Sequence, residues 1–109
     1  MTSREELYAL VRQIPKGRCA GYGALGRFLR NPVSGYVVGR WMASAPEGIP
    51  WWRVVAKDGT LVVARRDPEL GIRQRNLLVK EGVPFDEDQV RMEEVAWDPF
   101  DELDPADKA

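Results

Sequence analysis

Apolar residues recur at helical spacing from Leu7 to Ile14, as they do on the buried face of an amphipathic helix. Ser3, followed three residues later by Glu6, has the pattern of a capping box, in which two side chains accept from backbone N–H groups of the first turn. Pro15 cannot continue a helix, because it lacks the backbone N–H. The pattern therefore predicts a first helix that begins beside Ser3 and ends before Pro15.

Two shorter helices are predicted on either side of the Asn31-Pro32 pair, which interrupts the helical pattern. The second helix covers residues 24–29. The third follows Ser34, an N-cap residue type, and runs to about Ala45. Two short helices joined by a tight turn have the outline of a helix-turn-helix, although many helical domains contain such a corner.

A change of period after the third helix predicts a β-hairpin. Residues 53–56 and 61–64 are rich in valine and flank Asp58-Gly59, a preferred centre of tight hairpin turns. Helical spacing then returns over residues 69–81, and Gly82 is a typical C-cap. The predicted fold class is α+β: a small helical domain with a helix-turn-helix and a β-hairpin wing, similar to a winged helix.

The third helix has two distinct faces. Gly35 and Gly39 lie four residues apart on one stripe, and glycine inside a helix is unfavourable by about 1 kcal/mol relative to alanine. The stripe is explained either by close packing against another helix or by close approach of a nucleic-acid backbone, with Tyr36 and Arg40 on its flanks. Another face would pack into the body through Val38, Trp41, Met42 and Ala45.

The charges are unevenly distributed along the 109 residues, although the net charge is only −1. Residues 1–82 carry 14 Lys and Arg against seven Asp and Glu, whereas residues 83–109 carry two against ten. A basic body suits a polyanionic partner, because cationic side chains contact phosphates and release counterions. A solvated surface of mixed charge explains the same counts equally well. From Asp98 onward we expect a weakly ordered acidic end, and we expect a linker beyond Pro84.

The composition excludes several classes of protein. The chain contains no histidine and a single cysteine, Cys19, so we expect no disulfide, no zinc or other metal site, no cofactor and no imidazole base. No run of about 18 apolar residues is available to span a membrane, and the first residues do not resemble a signal peptide. The expected location is the cytoplasm.

Several strings of residues, taken with their order and spacing, are specific enough to indicate a family. They are Ile14-Pro15-Lys16-Gly17-Arg18, Tyr22-Gly23 with Leu25, Val38-Gly39-Arg40, Ile49-Pro50-Trp51-Trp52-Arg53-Val54-Val55, Gly59, Leu77-Leu78 and Glu81-Gly82. Over residues 5–85 they resemble the O6-alkylguanine-DNA alkyltransferase domain. The resemblance implies that family's C-terminal fold, with a DNA-binding domain of residues 1–85 followed by an acidic tail of residues 86–109.

Trp51 stands where the repair enzymes of this family have the cysteine that accepts the alkyl group, and Trp52 stands where they have histidine. The chain therefore resembles the alkyltransferase-like branch, which does not repair. The chemistry agrees, because dealkylation needs a thiolate beside a base, whereas an indole offers one N–H donor and no acceptor. We expect no enzymatic activity, although most alkyltransferase-like proteins keep the histidine that Trp52 replaces.

The family's mode of binding, carried onto this chain, predicts a lesion pocket. The resemblance implies that the helix-turn-helix docks in the minor groove and that the damaged base rotates out of the duplex. By the same resemblance, Tyr22 pushes against the phosphate of that nucleotide. Arg53 is expected to brace the loop through backbone carbonyls. The predicted pocket residues are Tyr22, Trp51, Trp52, Val54 and Val55, with the backbone of the two valines facing the base edge; Trp52 is either a second wall or a core residue.

The residue that replaces the everted base in the stack is harder to assign. Family members usually have arginine at the position of Tyr36, so either Tyr36 stacks in the gap or a neighbouring arginine, Arg40 or Arg30, does part of this work. The residues predicted to contact DNA are Ser34, Gly35, Tyr36, Val37, Gly39, Arg40 and Lys57.

The leading functional hypothesis is a monomeric sensor that binds double-stranded DNA containing O6-alkylguanine and flags it for nucleotide excision repair proteins. In a bacterium it would associate with the nucleoid. One alternative is a winged-helix regulator that reads an operator, but Gly35, Val37, Val38, Gly39 and Ala43 offer few groups for reading base edges. The other alternative is a residual transferase that uses Cys19, which would need a base that the chain lacks.

Overall fold

The structure, a computed structural model, describes residues 1–103. These residues form seven helices and four short strands. In chain order they are α1 (Ser3–Val11), β1 (Ala20–Gly21), α2 (Tyr22–Phe28), α3 (Gly35–Met42), β2 (Val54–Val55), α4 (Val63–Arg66), α5 (Pro68–Lys80), β3 (Phe85–Asp86), β4 (Gln89–Val90), α6 (Met92–Val95) and α7 (Pro99–Glu102), with a 3-10 turn at Trp51–Arg53 before β2.

The capping box of α1 is shifted by one residue from the prediction. Thr2 Oγ1 accepts from the N–H of Glu5 at 3.1 Å, and Glu5 Oε1 accepts from the N–H of Thr2 at 2.9 Å. Thr2, rather than Ser3, is therefore the N-cap, because it is also a hydroxyl residue with an acidic residue three positions later. The helix still begins at Ser3 and buries the predicted apolar face.

The predicted helix-turn-helix is present as α2 and α3. Gly26 lies at its corner, where the carbonyl accepts from the N–H of Val33 at 3.1 Å and a Cβ added to Gly26 would lie 2.2 Å from Val33 O. Ser34 caps α3 by accepting from the N–H of Val37 at 3.2 Å. Helix α3 ends at Met42, about one turn before the predicted end.

The hairpin predicted between residues 53 and 64 is wrong in its second strand. The turn forms, with the N–H of Ala56 donating to Thr60 O at 3.0 Å and Gly59 at a φ of +90°. The chain then continues into helix α4, because Ala64 packs directly onto Gly71 of α5; a Cβ on Gly71 would lie 2.3 Å from Ala64 Cβ. Tertiary packing thus overrides the β propensity of the valines.

Two strand pairs make the fold α+β, as predicted. Strands β1 and β2 are parallel, pairing Ala20 with Val54 and Gly21 with Val55. Strands β3 and β4 form an antiparallel hairpin, which meets the turn before α4 through a bridge between Thr60 and Gln89. The parallel pair matters most for the site, because it fixes the Trp51–Arg53 turn beside the first residue of α2.

The segment that follows residue 85 packs onto the body. Val90, Val95 and Trp97 are buried, and Cys19 exchanges hydrogen bonds with this segment through its N–H to Val95 O (3.1 Å) and its carbonyl from the Trp97 N–H (2.7 Å). The expected linker beyond Pro84 is therefore wrong, and the chain is ordered into helix α7, past the point where a weakly ordered end was expected. The boundary between residues 1–85 and 86–109 stays a prediction, and residues 104–109 lie outside the described part of the chain.

The core consists of two clusters of buried apolar side chains. One lies under α1, α2 and α3, and the other lies between α5 and the segment after residue 83. The buried face predicted for α3 is confirmed, since Val38 is buried in the first cluster with Trp41, Met42 and Ala45 packed against it. No helix among residues 1–103 is long and apolar enough to cross a membrane.

Candidate nucleic-acid interface and base cavity

A cavity of about 220 Å³, here called the inner cavity, opens between Tyr22 and Trp51. Helix α3 and the residues that follow it form one part of the lining, Trp51 contributes from the 3-10 turn, and residues of α4 and α5 complete it. Its volume is below the range of about 300–1,000 Å³ for pockets that hold drug-sized ligands, which suits a smaller planar group. Its lining residues are Tyr22, Gly39, Met42, Ala43, Ala45, Trp51, Val63, Arg66, Leu70, Arg73 and Gln74.

A wider depression of about 360 Å³, the outer hollow, adjoins the inner cavity on the side of α3. The two spaces share Tyr22, Gly39, Val63 and Arg66, so they adjoin each other along these residues. The remaining residues of the outer hollow come from α3, from α4 and from the residue before α4: Gly35, Tyr36, Arg40, Val62 and Arg65.

Tyr22 lies at the junction of the two spaces because it is the first residue of α2, directly after β1. A Cβ on Gly35 would lie 3.4 Å from Tyr22 Cβ, and one on Gly39 would lie 4.0 Å from the ring. The glycine stripe of α3 therefore accommodates Tyr22, as the helix-packing interpretation requires. Burial raises the pKa of Tyr22, and the nearby charge of Arg66 opposes the shift, so the phenol stays protonated and can donate.

Trp51 presents an apolar wall to the inner cavity. Its position is fixed by the 3-10 turn, by the hydrogen bond of its backbone N–H to Ile49 O at 2.7 Å, and by an edge-to-face contact with Trp52 at 6.1 Å between ring centroids. Edge-to-face packing is a favoured aromatic geometry. The wall can therefore bury the apolar surface of a bound group but offers it no nucleophile.

Trp52 points away from the cavity and takes part in a network centred on Glu81. Its Nε1–H donates to Glu81 Oε2 at 3.0 Å. Arg53 donates to both oxygens of the same carboxylate, through Nε at 3.0 Å and Nη2 at 2.7 Å, and also to the Ile14 carbonyl at 2.9 Å. The last bond is the kind of loop bracing expected of Arg53, and the ion pair with Glu81 adds to it.

The protonation of Glu81 follows from its partners. Burial raises the pKa of Glu81, but hydrogen bonds from Arg53, Trp52 and the N–H of Gly17 together outweigh it and hold the pKa below its ordinary value. Glu81 is therefore ionised at neutral pH and pairs with a guanidinium that is itself largely buried. Bidentate pairing of this kind restricts the geometry of the loop.

Other predicted site residues lie outside the inner cavity. Val54 and Val55 are fully buried in the two core clusters and are not among its lining residues, and neither is Trp52. Lys57 is exposed and lines a separate depression beside the outer hollow, together with Arg65. The structure thus brings Tyr22 and Trp51 together at one opening, but it separates the two valines and Lys57 from that opening.

Part of the set of residues predicted to contact DNA lies on the exposed side of α3. Ser34, Tyr36 and Arg40 are exposed, with 75% of Tyr36 accessible, while Val37 is half-buried. Arg40 and Arg65 line the outer hollow, and within residues 1–103 neither forms an ion pair. Unpaired cations along a groove are what phosphate binding requires.

Three polar residues of the inner cavity were not singled out as pocket residues from the sequence: Arg66, Arg73 and Gln74. Gln74 is 1% exposed and lies on the buried face of α5 with Gly71 and Leu78. A glutamine on an otherwise small or apolar helical stripe is the signal that could have revealed it, because buried polar side chains are uncommon without a partner.

Cys19 is unsuited to accept an alkyl group. Its side chain is fully buried, and this burial, reinforced by the charge of Glu81 and opposed by Arg53, raises the pKa of Cys19 to about 12. A nucleophilic cysteine needs a lowered pKa and access to its substrate. Among the described residues, no group of three His, Cys, Asp or Glu side chains could hold a metal ion.

A helix-turn-helix with unpaired arginines beside it, and a cavity at the first residue of its leading helix, define a small DNA-binding domain. Comparison with known proteins gives the family. The model of the 6-O-methylguanine DNA methyltransferase, DNA binding domain, matches residues 2–83, and the chain belongs to this family.

Similar proteins narrow the relationship. The chain is 30% identical to the DNA base-flipping protein of Vibrio parahaemolyticus serotype O3:K6 (strain AQ3810), covering 86% of this chain and 94% of the relative. It is 32% identical to alkyltransferase-like protein 1 of Schizosaccharomyces pombe (strain 972 / ATCC 24843), covering 86% and 93%. The crystal structure of S. pombe Atl1 in complex with damaged DNA containing O6-carboxymethylguanine matches with a TM-score of 0.73 at 29% identity, over 88% of this chain and 94% of that one. These matches confirm the resemblance to alkyltransferase-like proteins.

Proposed function

We propose that this chain binds double-stranded DNA containing O6-alkylguanine, takes the everted lesion into the inner cavity and leaves the alkyl group in place. The observation that carries the proposal is the opening between Tyr22 and Trp51, in which an indole forms the wall. The relatives support it, since two are described as a base-flipping protein and an alkyltransferase-like protein, and Atl1 was crystallised on damaged DNA.

The path of the base follows from the two adjoining spaces. Arg40 and Arg65 would hold phosphates at the outer hollow, and the lesion would pass Tyr22 into the inner cavity. The Tyr22 phenol is protonated and can donate to the phosphate of the rotated nucleotide. Tyr36 projects from the same side of α3 and would fill the gap left in the duplex by stacking.

The energetic balance favours damaged guanine. Everting a base costs a few kcal/mol, and the cost is lowest for a base whose pairing is already weakened by alkylation. Aromatic contact with Tyr22 and Trp51 returns about 1–3 kcal/mol, and burial of the alkyl group adds to it. A normal guanine lacks the added apolar surface and has stronger pairing, so the same cavity holds it less well.

The alkyl group stays in place because neither a thiolate nor a histidine base lies beside the cavity. Trp51 has no nucleophilic atom, and Trp52 donates its single N–H to Glu81 and has no lone pair to act as a base. Cys19 is buried with a pKa of about 12. By resemblance to its family, we further propose that the chain acts as a monomer in the cytoplasm, on the nucleoid in a bacterium, and flags the lesion for nucleotide excision repair proteins.

The decisive experiment follows both affinity and the fate of the alkyl group. A duplex with one O6-methylguanine, labelled on the methyl, is compared with an undamaged duplex of the same sequence. We expect tighter binding to the damaged duplex and all of the label on DNA. Label on the protein would contradict the proposal and support a transferase, and equal affinity for both duplexes would favour an operator-reading regulator instead.

A further inference from the structure

Gln74 is the one buried polar side chain in the wall of the inner cavity among the described residues. It projects from α5 beneath the Trp51–Arg53 turn. Its Nε2 donates to two backbone carbonyls, Trp52 O at 3.2 Å and Val54 O at 3.1 Å. The side chain thereby ties the turn and strand β2 to α5.

These two bonds determine which way the amide faces. Turning it over would place Oε1 against two carbonyl oxygens, with no hydrogen between them, so the observed orientation is the stable one. Gln74 Oε1 is left buried and without a hydrogen-bond partner. A buried acceptor without a donor is unfavourable and uncommon, and because Gln74 lies in the wall of the inner cavity, a bound ligand can supply the missing donor.

The chemistry of O6-alkylguanine identifies that donor. Alkylation at O6 leaves N1 without a hydrogen, so the exocyclic 2-amino group is the only N–H donor on the pairing edge of the base. Of the side chains that line the inner cavity, only those of Tyr22 and Gln74 contain an oxygen, while Arg66 and Arg73 can only donate.

We propose that Gln74 Oε1 accepts a hydrogen bond from the 2-amino group of the everted base, so that Gln74 restricts the cavity to lesions derived from guanine. This inference rests on the proposed function. Trp51 and Tyr22 contact the faces and the alkyl group of any alkylated base, but a base without the 2-amino group leaves Gln74 Oε1 unpaired. Loss of such a partner typically weakens binding about tenfold.

The test uses a pair of bases that differ only in this amino group, O6-methylguanine and O6-methylhypoxanthine. Each is placed opposite an abasic-site analogue, so that neither must break a base pair on leaving the helix. The unmodified protein is expected to bind O6-methylguanine about tenfold more tightly. In Gln74→Met the two affinities should become equal. Gln13→Met, a substitution on an exposed residue after α1, should keep the tenfold preference.

Failures of the two proposals are distinguishable. If the unmodified protein prefers O6-methylguanine over guanine but binds the two methylated bases equally, the role of Gln74 is wrong and the lesion cavity stands. A tenfold preference that survives in Gln74→Met, even with both affinities lowered, would also overturn the role of Gln74. Absence of any preference for O6-methylguanine over guanine would overturn both proposals.

Discussion

The indole Nε1 of Trp52 lies 3.0 Å from Glu81 Oε2 and donates its only hydrogen to it. An imidazole at this position could donate to the same carboxylate and still present a second nitrogen as a base. The indole keeps the hydrogen bond to Glu81 but has no second nitrogen to act as a base. Glu81 and Arg53 therefore remain a paired, loop-bracing unit in a chain whose neighbouring residue, Trp51, has nothing for a base to activate.

Glu81→Gln should destabilise the protein in a pH-dependent way. The substitution leaves the largely buried Arg53 without its ion pair, which is expected to lower the free energy of unfolding by about 3 kcal/mol at neutral pH. Because the pKa of Glu81 is lowered in the folded state, its contribution is complete above the ordinary value of 4.5 and is lost as the pH falls through the folded-state value. Urea unfolding of both proteins at neutral pH and below pH 4.5 measures the loss in free energy of unfolding and its dependence on pH.

The difference between the native protein and Glu81→Gln should therefore narrow on acidification. Glu47→Gln, at an exposed residue, is the matched control and should change the free energy of unfolding by less than about 0.5 kcal/mol at either pH. A difference that stays constant with pH would show that the carboxylate charge of Glu81 has no stabilising role.

Substitutions of Tyr22 should separate eversion from general DNA binding. Tyr22→Ala removes the ring at the junction of the two spaces, and we expect about a tenfold loss of affinity for DNA with O6-methylguanine but a smaller loss for undamaged DNA. Tyr22→Phe keeps the ring and removes the hydroxyl donor, so its effect should be intermediate. Equal losses on both duplexes in Tyr22→Ala would rule out the proposed role; fluorescence anisotropy gives the affinities.

Substitutions of Tyr36 test whether it stacks in the duplex. Tyr36→Ala is expected to weaken lesion binding by about tenfold, because one aromatic contact of about 1–3 kcal/mol is lost. Tyr36→Arg adds a cation and should tighten binding to all duplexes. The slope of the logarithm of the binding constant against the logarithm of the salt concentration should become steeper by about one. An unchanged affinity in Tyr36→Ala would point to Arg40 or Arg30 instead.

Gly26→Ala should destabilise the helix-turn-helix corner. A Cβ at this position would lie 2.2 Å from Val33 O, so the backbone between α2 and α3 must shift, at an expected cost of about 1–3 kcal/mol. Gly23→Ala, in the same helix, would meet only the flexible end of Arg27 at 3.2 Å and should be neutral or stabilising, since alanine favours helix. Thermal unfolding of the two variants compares them directly, and equal melting temperatures would contradict the tight corner.

The helices and the position of the site could be predicted from sequence because local patterns determine them. The spacing of apolar residues along α5 and the cap at Ser34 agree with the structure. The C-cap of α5 is Glu81, one residue before the predicted Gly82, which follows it with a φ of +88°. The family strings grouped Tyr22 and Trp51 in one predicted pocket, and both residues line the inner cavity.

What sequence could not provide depends on contacts between distant residues. The valines at residues 61–64 favour a strand locally, yet the close fit of Ala64 on Gly71 makes them turn and helix instead. The base edge was expected at the backbone of Val54, but the Val54 carbonyl accepts from Gln74, which itself lines the cavity. Neither contact produces a periodic pattern in the sequence from which the two residues could be predicted to touch.

The C-terminal segment after residue 85 carries many acidic residues and is at the same time part of the folded body. Arg18 donates to the carbonyls of Val95 and Ala96 and pairs with Glu102, while Trp97 fills part of the core beneath. Cutting the chain after residue 85 would uncover Cys19 and remove core side chains, so any loss of function in a truncated protein would reflect misfolding rather than the loss of its acidic charges. Charge reversal at exposed positions such as Glu93 leaves these contacts in place and changes the acidic charge alone.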